Sequence, residues 1–494
     1  MEKPMRNRKP RSARTNGARE NGGGHQPENI SQNGNMIAPG TTGRYLVLLR
    51  EDGIKSAAKI LRDTAGLRTT STADFTESAV AGEHLAEAEA LIFEDLGVAV
   101  VNSPPDQIKS LSAAAAEDSA ILAVEPERVV YALRAAAPAS MLSLDETIVE
   151  VPDFFSAPTI LDGGVVAAPA EFPIEFLRGY REAVDHLVDQ LLAIGGVTEE
   201  AVSEAVATAF SETEFTWGLQ ATKVALSRFS GKDIKVAVLD TGMDLGHPDF
   251  LGRPIRSQSF VAGEAVQDGH GHGTHCIGTS CGPRRPAQLP RYGIAFNAEI
   301  FAGKVLSNQG SGGDAGILAG IQWAVTNRCH VVSMSLGAAV FPGQGFSQIF
   351  EEVARRALGL GTLIIAAAGN ESNRPGSISP VGHPANCPSI MAVGAIDQQF
   401  RIASFSCGGL NPQGGQVDIA GPGVAVQSSF PRPVLRRTLS GTSMATPHVA
   451  GIAALLAEAN PGARGRALAS LLLQGARRLP LPARDVGSGL VQAP

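Results

Sequence analysis

The chain has 494 residues, 44% hydrophobic and 18% charged, with a net charge of −7 at pH 7. That apolar share excludes a disordered chain, and no apolar run approaches the ~20 residues a membrane-spanning helix needs, so no membrane span is expected. A pI near 5.9 gives no basic footprint, so no nucleic-acid partner is expected either.

In chain order, residues 1–42 read as a disordered basic and polar tail. Lys3, Arg6, Arg8, Lys9, Arg11, Arg14 and Arg19 cluster early, and Gly22, Gly23 and Gly24 with a polar stretch follow. No apolar h-region follows the basic start, so the chain as given carries no recognisable export signal. The expectation is a cytoplasmic or non-classically exported protein, or a secreted one if the start codon is misassigned. Residues 43–133 predict a small α+β sandwich in the order β-α-β-β-α-β. The strands are expected at 44–49, 90–93, 97–101, and at 121–124 and 128–131 on either side of Pro126; the helices at 54–65 and 104–115. Residues 134–213 read as a linker carrying one or two helices. Phe176, Tyr180, Ala183, Val184, Leu187, Val188 and Leu191 keep helical spacing, and Thr198 can cap a second helix. From 214 to 494, strand-like runs at 234–239, 300–305, 331–335, 363–367 and 390–395 alternate with helical text. That alternation predicts an α/β fold with a mostly parallel sheet. Cys276, Cys281, Cys329, Cys387 and Cys407 are odd in number and far apart, so no disulfide framework is expected.

Three segments carry candidate chemistry. Residues 236–242 form a buried strand that ends in Asp240 and a glycine turn. Functional groups gather at the carboxyl ends of parallel strands, although a strand-terminating carboxylate that bonds nearby amides is the plainer reading. Residues 268–276 bring together His270, His272, His275 and Cys276. This set could bind a metal or supply a general base; no partner cluster with ligand spacing lies elsewhere. In residues 440–451, Ser443 precedes an apolar helix whose first turn Pro447 fits. Ser443 would then lie at the helix's positive end, either as a cap or as a nucleophile beside free N–H groups. Ser280 sits in a G-x-S-x-G string, but the segment before it should be helix rather than strand, so it is set aside.

Asp240, His272 and Ser443 follow one another in an order known for serine hydrolases. Residues from about 217 to 490 resemble the subtilases, the subtilisin and proteinase K family of serine endopeptidases, and the three segments match the signatures around the family's catalytic Asp, His and Ser. The resemblance implies a subtilisin-like mostly parallel sheet flanked by helices, preceded by a ferredoxin-like prodomain. It also implies an acyl-enzyme route in which Asn370, after Gly369, donates to the oxyanion. Ser335, Leu336 and Gly337 resemble the strand that pairs with the substrate backbone, and Gly310, Ser311 and Gly312 the strand on its other side. Gly382 resembles the floor of the primary pocket, which leaves room for a large apolar P1 residue; Glu371 resembles a rim position. Cys276 matches a thiol of proteinase K-like members, implying sensitivity to mercurials. Asp249 matches a calcium-binding carboxylate, but the loop at 282–294 is basic and lacks the expected ligands. Calcium therefore stands as a structural ion only in expectation, and no cofactor is required. Residues 45–133 resemble a subtilase propeptide, which assists folding and then blocks the cleft. The expected partners are polypeptide substrates and this intramolecular inhibitor, in a self-processed monomer. A non-catalytic protein on the same scaffold, and a peptidase dedicated to one peptide, are the alternatives.

Overall fold

A computed structural model describes residues 40–74, 82–117, 120–133 and 210–494. The expected tail at 1–42 and linker helices at 134–213 lie almost wholly outside the described residues.

The N-terminal unit comprises β1 (Thr41–Leu49), α1 (Ala57–Ala65), β2 (Thr69–Ser71), α2 (Gly82–Glu87), β3 (Ala90–Phe93), β4 (Val98–Val101), α3 (Pro105–Ala116) and β5 (Ile121–Ala132). Its strands run in the order β5-β1-β4-β3-β2. β1 shows why its sequence is an unbroken apolar run rather than an alternation. Successive side chains point to opposite faces. Val47 and Leu49 pack with Leu61, Ile108 and Leu111 of α1 and α3. Leu46 and Leu48 share a core with residues of the larger unit, including Phe350 and Val353. Both faces of this sheet are covered, one of them by the rest of the protein.

Two differences from the sequence reading stand out. β2 and α2 were not anticipated, being three and six residues long and too short for periodicity to mark. Residues 121–132 form one strand, not two around Pro126. Pro126 pairs with Tyr45 of β1 at a point where no strand of the described residues lies on its other side, so its missing N–H leaves no ladder bond among them unmade.

The larger unit begins with α4 (Trp217–Ala221), β6 (Lys235–Asp240), β7 (Ile255–Ser259), α5 (His272–Cys281), β8 (Glu299–Lys304), β9 (Ser311–Gly313) and α6 (Asp314–Thr326). It continues with β10 (Val331–Met334), β11 (Leu336–Gly337), α7 (Gln348–Gly359), β12 (Leu363–Ala367), β13 (Met391–Ile396), β14 (Ile419–Pro422), β15 (Val426–Ser429) and β16 (Arg436–Leu439). Helices α8 (Thr442–Ala459), α9 (Arg466–Gly475) and α10 (Ala483–Val486) follow. Seven parallel strands form the central sheet in the order β14-β13-β12-β10-β6-β8-β7. The five strand runs read from sequence fall in this sheet, each within one residue of its observed end. The edge strands β7 and β14 escaped that reading because they lack long apolar runs. α8 is buried along nearly its whole length, as its all-round apolar text requires.

β5 reaches beyond its own unit. Val129, Val130 and Tyr131 pair antiparallel with Gly313, Gly312 and Ser311 of β9, while Tyr131 and Ala132 pair with Gly337 and Leu336 of β11. The last strand of the small unit thus lies between two edges of the large one.

Candidate active site

Asp240 ends β6 and is 1% exposed. Its Oδ1 accepts from the backbone N–H of Thr241 at 2.7 Å and from Nδ1 of His272 at 2.8 Å. His272 is the first residue of α5 and is fully buried. Burial alone would push the imidazole pKa down. The charge and hydrogen bond of Asp240, with a smaller contribution from Cys276, outweigh it, so the pKa lies well above 6.5. His272 Nε2 has no hydrogen-bond partner among the described residues.

The turn that starts α5 is held by Asp268, which sequence reasoning passed over. Its Oδ1 accepts from the backbone N–H groups of His270 and Gly271 and from the Thr241 hydroxyl. Its Oδ2 accepts from Thr274 N and Oγ1. One carboxylate satisfies the orphan amides at the helix start and ties that start to the residue after Asp240. An Asp four residues before the helix was the available signal.

Ser443 is the second residue of α8, in the turn whose N–H groups have no intrahelical acceptor. Helix α8 starts earlier than the sequence suggested, so Pro447 lies in the helix interior rather than in its first turn. Lacking an N–H, Pro447 cannot bond the Ser443 carbonyl four residues back. That carbonyl instead accepts from Ser335 Oγ at 2.8 Å and from the Cys276 thiol at 3.6 Å. In return Ser443 Oγ donates to the Ser335 carbonyl at 3.0 Å; it is not bonded to His272. Cys276 Sγ lies 3.8 Å from His272 Nδ1, so this buried thiol joins the Asp–His pair to the Ser443 turn. Burial raises the pKa of Cys276, which favours an inert neutral thiol over a nucleophile.

Asn370 follows the end of β12, after Gly369 at φ +113°. Its Oδ1 accepts from Thr442 N and Oγ1, both at 2.9 Å. Those two donors fix the amide orientation and leave Nδ2 buried, with no partner among the described residues. Thr442 is a second residue that sequence reasoning missed.

The histidine cluster separates. His275 Nε2 meets the carbonyls of Val426 and Arg437, both at 3.1 Å, while His272 groups with Asp240 and Cys276. The metal reading of His270, His272 and His275 as one ligand set is therefore not supported by their placement. Ser280 is buried in the last turn of α5, its hydroxyl on the Cys276 carbonyl. Asp249 accepts from Ala287 N at 2.7 Å and from the Tyr292 hydroxyl at 2.6 Å. The exposed Glu371 accepts from the Cys407 thiol at 3.1 Å. All five cysteines are buried and unpaired.

Ser335, Leu336 and Gly337 on one side, and Gly310, Ser311 and Gly312 on the other, flank β5 as edges flank an added strand. Gly382 donates to the Ala368 carbonyl, and a Cβ there would come within 2.8 Å of the Ala338 oxygen, so only glycine fits. Beside these edges lies a buried pair absent from the sequence reading: Asp314 Oδ1 with His383 Nε2 at 2.9 Å.

A profile described as the subtilase family matches residues 231–489, more than half of the chain. The chain is 41% identical over 235 residues to subtilisin E of Bacillus subtilis (strain 168), a match covering 47% of this chain and 58% of that protein. It is 38% identical over 244 residues to subtilisin DY of Bacillus licheniformis, covering 49% of this chain and 83% of that protein. It is 43% identical over 249 residues to an alkaline protease of Alkalihalobacillus alcalophilus, covering 50% and 60% respectively. Buried carboxylate, imidazole and serine fall inside the matched segment, on the strand end and helix starts that the signatures predicted, and the chain belongs to the subtilase family.

Proposed function

We propose that the protein is a serine endopeptidase, made as a precursor that cuts itself. The observation that carries this is the Asp240–His272 bond, with the Ser443 turn joined to it through Cys276 and with His272 Nε2 and Asn370 Nδ2 buried and without partners among the described residues. Ser443 Oγ leaves the Ser335 carbonyl, gives its proton to His272 Nε2 and attacks a peptide carbonyl carbon. Asp240 orients the ring and stabilises its cation. The developing oxyanion takes hydrogen bonds from Asn370 Nδ2 and the Ser443 N–H. His272 then protonates the departing amine, and water, deprotonated by the same ring, releases the acyl group.

Residues 43–133 act as the inhibitory propeptide. Support comes from the strand order of that unit and from β5 lying between the two edges where a substrate would pair. Main-chain pairing of this kind selects extended polypeptide and little sequence, so cleavage is broad, with a large apolar residue preferred over Gly or Asp at P1. Asp249 is read as an anchor for the 282–294 loop, with calcium unnecessary for catalysis. A fluorophosphonate probe tests the reading. The activated protein should label, and Ser443→Ala should neither label nor cut itself; self-cleavage by Ser443→Ala would refute it. A non-catalytic role would show as no labelling of the wild type.

A further inference from the structure

We infer that the bond this precursor cuts first is Leu133–Arg134, so that the catalytic chain retains residues 134 onward as an N-terminal arm. The inference rests on the peptidase reading above and adds the position of the cut.

The register of β5 leads to that bond. Tyr131 is paired with both Ser311 and Gly337, the Ala132 amide donates to the Gly310 carbonyl at 2.8 Å, and the Leu133 amide donates to the Ser335 carbonyl at 3.3 Å. The same Ser335 carbonyl accepts Ser443 Oγ at 3.0 Å. One acceptor therefore holds both the hydroxyl and the amide of residue 133, and the Leu133 carbonyl carbon lies two covalent bonds from that amide. No residue from 129 to 132 has its amide on this carbonyl. Side-chain placement agrees: Val130 is fully buried, Tyr131 is 53% exposed and Leu133 is 8% exposed, with Leu133 Cδ1 3.3 Å from where a Cβ of Gly337 would stand. Leu133 is thus buried against the Gly337 backbone, and it is itself a large apolar residue of the class expected at P1.

The step balances without any further reactant than water. Ser443 Oγ bonds to the Leu133 carbonyl carbon as its proton passes to His272. The C–N bond to Arg134 breaks, and that proton goes to the new Arg134 amine. Water then splits the Leu133 ester, leaving a carboxylate on Leu133 and returning the proton to Ser443. The catalytic fold is anchored separately at Phe210, whose ring packs on Trp217 and Phe400 at 6.0 and 5.9 Å between centroids.

Full-length wild type, made by cell-free synthesis and sampled over time by intact mass and N-terminal sequencing, tests this. The first fragments should end at Leu133 and begin at Arg134. Leu133→Phe should cut at the same bond, and Leu133→Asp should slow that cut by about 10-fold or more, because a carboxylate replaces a buried apolar side chain. A first new N-terminus elsewhere, such as within 205–216, or an unchanged rate for Leu133→Asp, would overturn the assignment while leaving the peptidase reading intact. So would a wild type that stays whole yet labels with fluorophosphonate. Cleavage of Ser443→Ala at the wild-type rate would instead bring down the peptidase reading itself.

Discussion

On the proposed mechanism, His272 sets the acid limb of activity. It accepts a proton only when neutral, and Asp240 holds its pKa well above 6.5 against the opposing effect of burial. The kcat/KM of the activated protein should therefore rise with pH through a midpoint above 6.5. The same shift fixes a stability term: it is fully present below pH 6.5 and is lost as pH rises through the folded-state pKa. Asp240→Asn removes the charge that outweighs burial, so the limb should move to lower pH and kcat should fall about 10⁴-fold, as read from a pH–rate profile. Asn370→Ala should cost about 10²–10³ in kcat with little change in KM, the worth of one oxyanion donor, for which subtilisin is the reference case. Equal losses in both parameters would deny Asn370 that role. At this scale the site was largely legible. The three triad candidates and Asn370 sit in short distinctive strings, whereas Asp268 and Thr442 act through hydrogen bonds to residues that become neighbours only on folding.

Elements show where sequence reading stops. The apolar runs of β6, β10 and β12 announce buried strands, because a parallel sheet covered on both faces needs no polar alternation. The periodicity of residues 121–132 does not give their docking register, in which Tyr131 pairs with residues 180 and 206 positions later; only the family resemblance led to an expectation that this unit blocks the cleft. The docking relies on charge as well as on the ladder. Glu127 is fully buried; its Oε1 accepts from Ala315 N in the first turn of α6, and its carboxylate pairs with Arg44 and the Thr42 hydroxyl. Glu125 accepts from Gln348 N at the start of α7. Each carboxylate meets the positive end of a helix of the larger unit. In a Ser443→Ala background, Glu127→Ala should weaken the seat of the small unit by about 3 kcal/mol, since the buried amide and Arg44 lose their partner. Hydrogen exchange of β5 in the full chain measures this, and unchanged protection would contradict it.

At the scale of the whole molecule, two hydrophobic clusters divide the large unit across its sheet, and one of them continues into the small unit. On the proposed propeptide reading, folding of the precursor and blocking of the cleft are therefore parts of one packing event. Two carboxylates, the buried Asp244 and the partly buried Asp418, shape its pH response in opposite directions. Arg432 hydrogen bonds and charge outweigh the burial of Asp244 and hold its pKa near 2, so this contribution is present above pH ~4 and is lost as pH falls toward 2. Burial raises Asp418 to about 6, partly offset by the Ala392 amide; its contribution is greatest below pH ~4 and is lost as pH rises through 6. Asp418→Asn should raise stability at pH 8 by roughly 2 kcal/mol and flatten that limb, as a thermal melt series would show. None of this was legible in the sequence, where both residues are ordinary acids.

The claim on which the rest depends is that Ser443 is the residue made nucleophilic by His272 and Asp240. Peptide mapping of the activated protein after fluorophosphonate treatment tests it most directly. The account predicts a single adduct on Ser443, lost in His272→Ala; an adduct on any other residue, or undiminished labelling without His272, would contradict it.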